Sequence, residues 1–152
     1  MSRIRKNGRG EMREMVHITI DREKGLLIVQ VEGLARIITP RHRVVVQLDH
    51  IVSAVARPEP PKHLLEHLRT LTGAGTHIPG VLRMGTFIAE DGSREFYAIG
   101  DGRRAVVIEL VQEPFRRLII EPPLRESPED CARQLRDAVV LGRSGSGSQS
   151  RW

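Results

Sequence analysis

His63, Glu66 and His67 come closest to a catalytic motif in this sequence. The order His-x-x-Glu-His places two histidines on one face of a helix, where they can bind zinc while the glutamate activates a water molecule. The segment follows the proline-rich residues 58–61 and has room for only about two or three helical turns, without the deep supporting fold of such enzymes. We therefore interpret it as a short amphipathic surface helix. A metal-binding or metal-dependent hydrolase site is the alternative.

Arginine pairs and one Thr-His pair are the candidates for ligand binding. The arginines stand at predicted strand edges or turns, where folding can bring them into one basic rim. The Thr-His pair belongs to residues 72–80, a predicted loop, and long loops in compact domains often contact ligands. The candidate residues are Arg41, Arg43, Thr76, His77, Arg103, Arg104, Arg116 and Arg117. Solvated charge and a structural loop are the alternative interpretations.

Asp49 and His50 are adjacent, which invites the hypothesis of a carboxylate-oriented general base. Neighbouring residues on a strand point to opposite faces, so the two side chains are poor partners. We interpret the pair as a bend between two strands. The sequence therefore predicts no catalytic constellation and no cofactor.

The net charge of +5 is concentrated at the two ends of the chain. Residues 1–15 carry five basic and two acidic side chains, and residues 142–152 carry two basic side chains and no acidic one. The remaining residues are formally neutral. We interpret residues 1–15 as a flexible arm, unless translation starts at Met15, and residues 142–152 as a disordered Gly/Ser tail. Peripheral binding of nucleic acid or anionic lipid through the arm is a further alternative.

Cys131 is the only cysteine, which excludes an intramolecular disulfide and is typical of a reducing compartment. No run approaches the roughly 18 apolar residues of a transmembrane helix, and the first residues lack the apolar stretch of a secretory signal. We expect a cytoplasmic protein with no transmembrane segment.

Short runs rich in β-branched residues, separated by turn residues at intervals of about ten, predict an antiparallel sheet between the two ends. The predicted strands are residues 16–20, 26–32, a bent segment 44–55, 81–89, 94–99, 105–111 and 117–121. Residues 21–25 are predicted to form the turn of a hairpin, and residues 90–93 and 100–103 are predicted turns in which glycine can adopt a positive φ.

One helix is predicted after the strands. Ser127 fits its N-cap, Pro128 its first position and Asp130 the capping box. Apolar residues then recur at three- and four-residue spacing, and Gly142 offers a stop. The predicted inward-facing residues are Cys131, Leu135, Ala138 and Val139.

Seven strands followed by one helix resemble the pleckstrin-homology (PH)-like superfamily, in particular its small bacterial members. The resemblance covers residues 16–141. It depends on residues 48–55, 78–87, 94–97 and 105–110 and on the Arg-Leu-Ile-Ile strand at 117–120. It implies a seven-stranded antiparallel barrel or sandwich capped by the C-terminal α-helix, and a role in protein or peptide recognition. Phosphoinositide binding is not implied, because Arg22 and Lys24 in the first turn are balanced by Asp21 and Glu23.

The sequence thus predicts one mostly β domain at residues 16–141 and a non-catalytic binding module of a bacterial cytoplasm. The expected partner is a protein or peptide, with self-association as a homo-oligomer included. Specific nucleic-acid recognition is not expected, because the few aromatic residues lie in or beside predicted strands rather than on a stacking platform.

Overall fold

The computed structural model describes residues 16–31, 43–57, 75–78, 82–89, 91–99 and 103–146. These residues form nine strands in two sheets, followed by an α-helix, α1, at Pro128–Ser146. The strands are β1 Val16–Asp21, β2 Leu26–Val31, β3 Arg43–Gln47, β4 Ile51–Arg57, β5 Gly75–Ile78, β6 Leu82–Ile88, β7 Arg94–Ile99, β8 Ala105–Leu110 and β9 Arg117–Ile120. The prediction of a mostly β chain with one C-terminal helix is confirmed.

The first sheet has the order β1-β2-β3 and is antiparallel throughout. Its strands alternate between buried and more exposed residues, as expected for a sheet with one face on the core. The predicted β1–β2 hairpin is confirmed. Gly25 adopts φ 66° in its turn, and the backbone N–H of Lys24 donates to Asp21 Oδ1 at 3.0 Å.

The second sheet has the order β4-β8-β9-β7-β6-β5, and this arrangement corrects the predicted seven-stranded antiparallel barrel. Strands β7 and β9 are parallel, and within the described ranges neither sheet closes on itself. Residues 75–78, predicted as part of a loop, form β5 and pair with β6. Local alternation specifies which residues face inward, but it does not specify which strands become neighbours.

The predicted bend at Asp49 and His50 is confirmed as a single 3-10 turn, Leu48–His50. This turn divides the expected long strand into β3 and β4, which belong to different sheets. Because β3 and β4 are each at the edge of their sheet, the chain passes from one sheet to the other along one side of the molecule.

A main core lies between the inner faces of the two sheets and α1. Its largest fully buried side chains include Leu27, Phe96, Ile108, Leu118 and Leu135. The central strands β7 and β9 also bury residues on the opposite face of the second sheet, where Phe87 and Tyr97 pack edge to face with ring centroids 5.3 Å apart. Strands buried on both faces hold the second sheet rigidly at its centre.

Helix α1 begins as predicted, because the Ser127 hydroxyl accepts a hydrogen bond from the Asp130 N–H at 3.1 Å. The Asp130 carboxylate accepts from Arg133 Nη2 at 2.6 Å. The predicted stop at Gly142 is wrong, and the helix continues to Ser146. A Cβ added at Gly142 would meet no other atom within 4 Å, apart from its own stretch of helix. Glycine destabilises a helix interior by about 1 kcal/mol relative to alanine, which is too little to end an established helix.

Arg136 of α1 also protects the edge of the second sheet. Its Nη1 donates to the carbonyl oxygen of Ala54 on β4 at 2.8 Å. An outward-facing carbonyl on an edge strand is otherwise available to a strand of another molecule. The contact therefore fixes α1 against β4 and blocks one acceptor of that edge.

Cys131 is buried on the inner face of α1, and we expect it to reduce stability at alkaline pH. Burial, and to a smaller extent the charge of Glu126, raises the pKa of its thiol from 9.0 to about 12. Between these values only the unfolded chain releases the proton, so stability falls as pH rises above 9. From pH 8 to pH 10 the wild type should lose about 1 kcal/mol more unfolding free energy than Cys131→Ala. Urea denaturation at both pH values measures this difference, and equal losses would contradict the prediction.

Candidate functional site

The structure separates the two predicted arginine pairs. Arg103 and Arg104 precede β8, whereas Arg116 and Arg117 lie at the start of β9. Because β8 and β9 are antiparallel, the start of one strand lies beside the end of the other. The two pairs are therefore at opposite ends of these strands and do not form one rim. Arg43 is exposed at the start of β3, in the other sheet.

Arg104 holds the connection between β9 and α1. Its Nη1 donates to the carbonyl of Pro122 at 3.1 Å, and its Nη2 donates to the carbonyls of Pro123, at 3.2 Å, and of Glu126. One guanidinium thus satisfies three carbonyls in a stretch without regular secondary structure. Its side chain is committed to the fold.

Replacing the planar guanidinium of Arg104 by the ammonium group of lysine tests whether Arg104 holds the connection between β9 and α1. Lysine keeps the charge, but its compact ammonium cannot reproduce the planar fork. We expect Arg104→Lys to lower the unfolding free energy by about 1.5 kcal/mol. Arg43→Lys, the same change at an exposed arginine of β3, should stay within about 0.5 kcal/mol of the wild type. Chemical denaturation followed by circular dichroism measures both, and equal effects would exclude the proposed clamp.

Arg117 lies in a charged row, which we define as Glu109, Arg117 and Glu95, across neighbouring strands of the second sheet. Arg117 Nη2 is 3.3 Å from Glu109 Oε1, and Nη1 is 3.8 Å from Glu95 Oε1. Glu95 is only 2% exposed and accepts a hydrogen bond from the Tyr97 hydroxyl at 2.7 Å. The guanidinium of Arg117 and the hydroxyl of Tyr97 together compensate the burial of the Glu95 carboxylate.

Other predicted site residues lie partly or wholly outside what the structure describes. Thr76 and His77 are on β5, in register with Met84 and Arg83, rather than in a loop. Arg41 and the proposed metal ligands His63, Glu66 and His67 are outside the described residues. In the part of the chain that is described, no group of three or more His, Cys, Asp or Glu side chains could hold a metal ion.

His50 pairs with a residue distant in sequence. Its Nδ1 is 2.9 Å from Glu113 Oε1, and the same oxygen accepts the backbone N–H of Gln47 at 3.0 Å. Asp49, the neighbour considered in the sequence, is 3.9 Å from His50 Nε2 and is exposed. The His50–Glu113 contact joins the turn between the sheets to the connection between β8 and β9.

A groove of about 450 Å³ lies where this connection meets the turn between β6 and β7. We call it the turn groove. It is lined by residues 92–94, by Leu110 and by residues 113–116, all of which the structure describes. The Phe115 ring packs against Phe96 in the core, with centroids 5.9 Å apart. The groove therefore has an apolar wall anchored in the core.

Backbone hydrogen bonds hold the two sides of the turn groove at fixed spacing. The Arg116 N–H donates to the Arg94 carbonyl at 2.8 Å, and the Leu110 N–H donates to the Arg116 carbonyl at 2.9 Å. Gly92, at φ 81°, closes the β6–β7 turn with an N–H donated to Ala89. The site is thus preformed by main-chain pairing.

Two of the three charged side chains that line the turn groove already have partners. Arg116 Nη1 is 2.8 Å from Asp91 Oδ2, and Asp91 Oδ1 also accepts the N–H and hydroxyl of Ser93, at 2.9 and 2.6 Å. Glu113 is bound by His50. Arg94 is exposed and has no ion pair with any residue the structure describes. It leaves one guanidinium in the groove without a carboxylate partner among the described residues.

Sequence reasoning identified Arg116 but missed Arg94 and Glu113. Arg94 begins a strand next to the predicted turn at residues 90–93, and that position could have signalled a residue at a sheet end. Glu113 gives no local signal, because its partner His50 is 63 residues away.

A second cavity, of about 480 Å³, has His17, Pro123, Leu124 and Arg125 as its described lining.

Comparison with protein-family models, with curated proteins and with solved structures finds no match for this chain. Among the described residues, no helix is both long and apolar enough to cross a membrane. A functional assignment therefore has to start from the geometry of the turn groove.

Proposed function

We propose that this chain is a non-catalytic binding module of the PH-like kind, which recognises an extended segment of a partner protein in the turn groove. The observation that carries the proposal is a preformed groove of about 450 Å³ that combines an apolar wall with an unpaired guanidinium. Binding sites for extended segments commonly combine apolar contact area with a few polar groups that fix orientation.

The chemistry of the groove favours binding over catalysis. Its polar side chains are Ser93, Arg94, Glu113 and Arg116. The Ser93 hydroxyl donates to Asp91, and Glu113 is held by His50 and by the Gln47 N–H. A nucleophile requires a base oriented toward it, and Ser93 instead donates to a carboxylate that an arginine neutralises. These contacts organise a surface rather than a reacting group.

The metal-site and basic-arm hypotheses concern residues outside the described ranges, so both stay predictions. Zinc analysis of untagged protein addresses the first. Deletion of residues 1–14, with nucleic-acid or anionic-vesicle binding measured at increasing salt, addresses the second.

Peptide display with a groove-blocking variant tests the proposed function. Random peptides of about twelve residues, the length of an extended recognition segment, are selected on the purified wild type. Pro114 is an exposed residue of the groove, so Pro114→Trp fills it from the rim without disturbing the core. Thr19→Trp makes a similar addition on β1, in the other sheet.

Selected peptides should bind the wild type and Thr19→Trp equally in fluorescence polarisation, and bind Pro114→Trp at least about tenfold more weakly. Far-UV circular dichroism must show that both variants are folded. Failure to enrich any peptide, or equal binding to Pro114→Trp, would overturn the proposal.

A further inference from the structure

We infer that the turn groove selects segments that carry an aspartate or glutamate, with Arg94 as the residue that binds the carboxylate. This inference rests on the proposed function. Its basis is the set of contacts already made in the groove, in which Arg116 is paired with Asp91, and Glu113 contacts His50 Nδ1 and accepts the Gln47 N–H. Arg94 is left as the only lining charge without a partner among the described residues. A guanidinium that has no carboxylate partner and lies beside an apolar wall attracts an anion more strongly than a neutral residue.

The fixed position of Arg94 strengthens the inference. Its backbone is held from both sides, by pairing with Ile88 on β6 and by the N–H that Arg116 donates to the Arg94 carbonyl. A guanidinium on an ordered strand can present two parallel N–H groups to one carboxylate. The strand therefore fixes the backbone of Arg94 at the edge of the turn groove.

A carboxylate fits this site better than a phosphate group. Phosphorylated segments carry close to two negative charges and are typically bound by clusters of arginines. Here the second arginine, Arg116, has its Nη1 2.8 Å from Asp91, and Asp91 is fixed by two bonds from Ser93. Recruiting Arg116 to a phosphate would expose the phosphate to the charge of Asp91. One free guanidinium matches one singly charged carboxylate.

Apolar side chains flank the guanidinium of Arg94. They predict which type of residue lies beside the acidic residue in the bound segment. Pro114 and Phe115 line the groove with Arg94. Two large exposed residues lie next to the groove in the fold, Ile88 opposite Arg94 in the strand pairing and Val111 directly after Leu110. A segment that covers these residues while its carboxylate binds Arg94 must carry at least one apolar side chain near the acidic one.

Charge exchange between the groove and selected peptides tests the inference. The probes are peptides selected on the wild type and the same peptides with each Asp or Glu replaced by Asn, Gln or Lys. The variant is Arg94→Glu. Its matched control is Arg43→Glu, the same charge reversal at an exposed arginine that starts β3 in the other sheet.

We expect an acidic consensus, and a loss of affinity of about tenfold when its carboxylate becomes an amide. Arg94→Glu should bind the acidic peptide at least as poorly and should recover affinity for the lysine peptide. Arg43→Glu should leave both affinities unchanged. The affinity of the wild type for the acidic peptide should fall with added salt.

The failure of this inference differs from the failure of the proposed function. Peptides that lose binding to Pro114→Trp but tolerate the amide change would refute the acidic preference and leave the groove as the binding site. Peptides insensitive to Pro114→Trp would refute both. A phosphoserine peptide that binds Arg94-dependently and much more tightly than its glutamate counterpart would overturn the choice of carboxylate over phosphate.

Discussion

Leu135→Ala is expected to lower the free energy of unfolding by about 3 kcal/mol, because it leaves a cavity where α1 meets the core. Leu135 is 0% exposed and belongs to the main core that joins both sheets to the helix. Removing its side chain loses the transfer free energy of the buried methyl groups, and the surrounding strands can relax only partly. Urea or guanidinium denaturation, followed by far-UV circular dichroism, measures the loss.

Leu141→Ala is the matched control for this prediction, because it makes the same substitution in the same helix. Leu141 is 58% exposed, so the change should stay within about 0.5 kcal/mol of the wild type. Leucine and alanine are both good helix formers, which keeps the helix propensity nearly constant. Equal effects at the two positions would mean that α1 contributes to stability through its own formation rather than through packing.

The helix was predictable from the sequence because its signals are local. Ser127 caps it in the structure, and the four residues predicted to face inward are all buried, together with Ala132. The predicted end was wrong, since Gly142 is an exposed residue of α1, where glycine destabilises too little to stop an established helix.

The strands were predictable for the same reason, but their arrangement was not. The β1–β2 hairpin follows from a short turn with glycine in positive φ, which is information within a few residues. The parallel pairing of β7 with β9 depends on how the intervening β8 is inserted, and no local pattern encodes it. Local patterns therefore located most of the strands, whereas the expected closed antiparallel barrel was wrong.

The candidate site was predictable only in part because it is built by contacts distant in sequence. Arg116 was selected because it stands at a predicted strand edge or turn, where folding could bring it into a basic rim, and it does line the turn groove. Its expected proximity to Arg104 was wrong, since the antiparallel pairing of β8 and β9 separates the two. Arg94 becomes a candidate only when the partners of Arg116 and Glu113 are known.

Glu95 shows that the burial of a charged residue in a strand can be explained only when the neighbouring strands are known. Glu95, Tyr97 and Ile99 are two residues apart along β7, so their side chains share one face of the sheet, and Tyr97 and Ile99 are buried there. The strand pattern therefore places Glu95 on a buried face. Only the neighbouring strands reveal the guanidinium of Arg117 and the hydroxyl that make this burial tolerable. Removing the Arg117 guanidinium should therefore lower the free energy of unfolding substantially.

Arg117→Met is expected to lower the unfolding free energy by about 3 kcal/mol, because it removes the cation beside a buried carboxylate. Methionine keeps much of the apolar stem of arginine, so the loss reports on the charge more than on packing. Arg43→Met, at an exposed arginine of the first sheet, should change the stability by less than about 0.5 kcal/mol. Denaturation curves of the two variants provide the comparison.

Two double variants identify the carboxylate responsible. Glu95→Gln in the Arg117→Met background removes the uncompensated buried charge and should recover about half of the lost stability. Glu109→Gln in the same background should recover almost nothing, because Glu109 is 46% exposed and water already solvates it. Recovery by Glu109→Gln rather than by Glu95→Gln would show that the exposed pair, and not the buried one, carries the energy of the charged row. Strictly additive effects would show that Arg117 acts through packing alone.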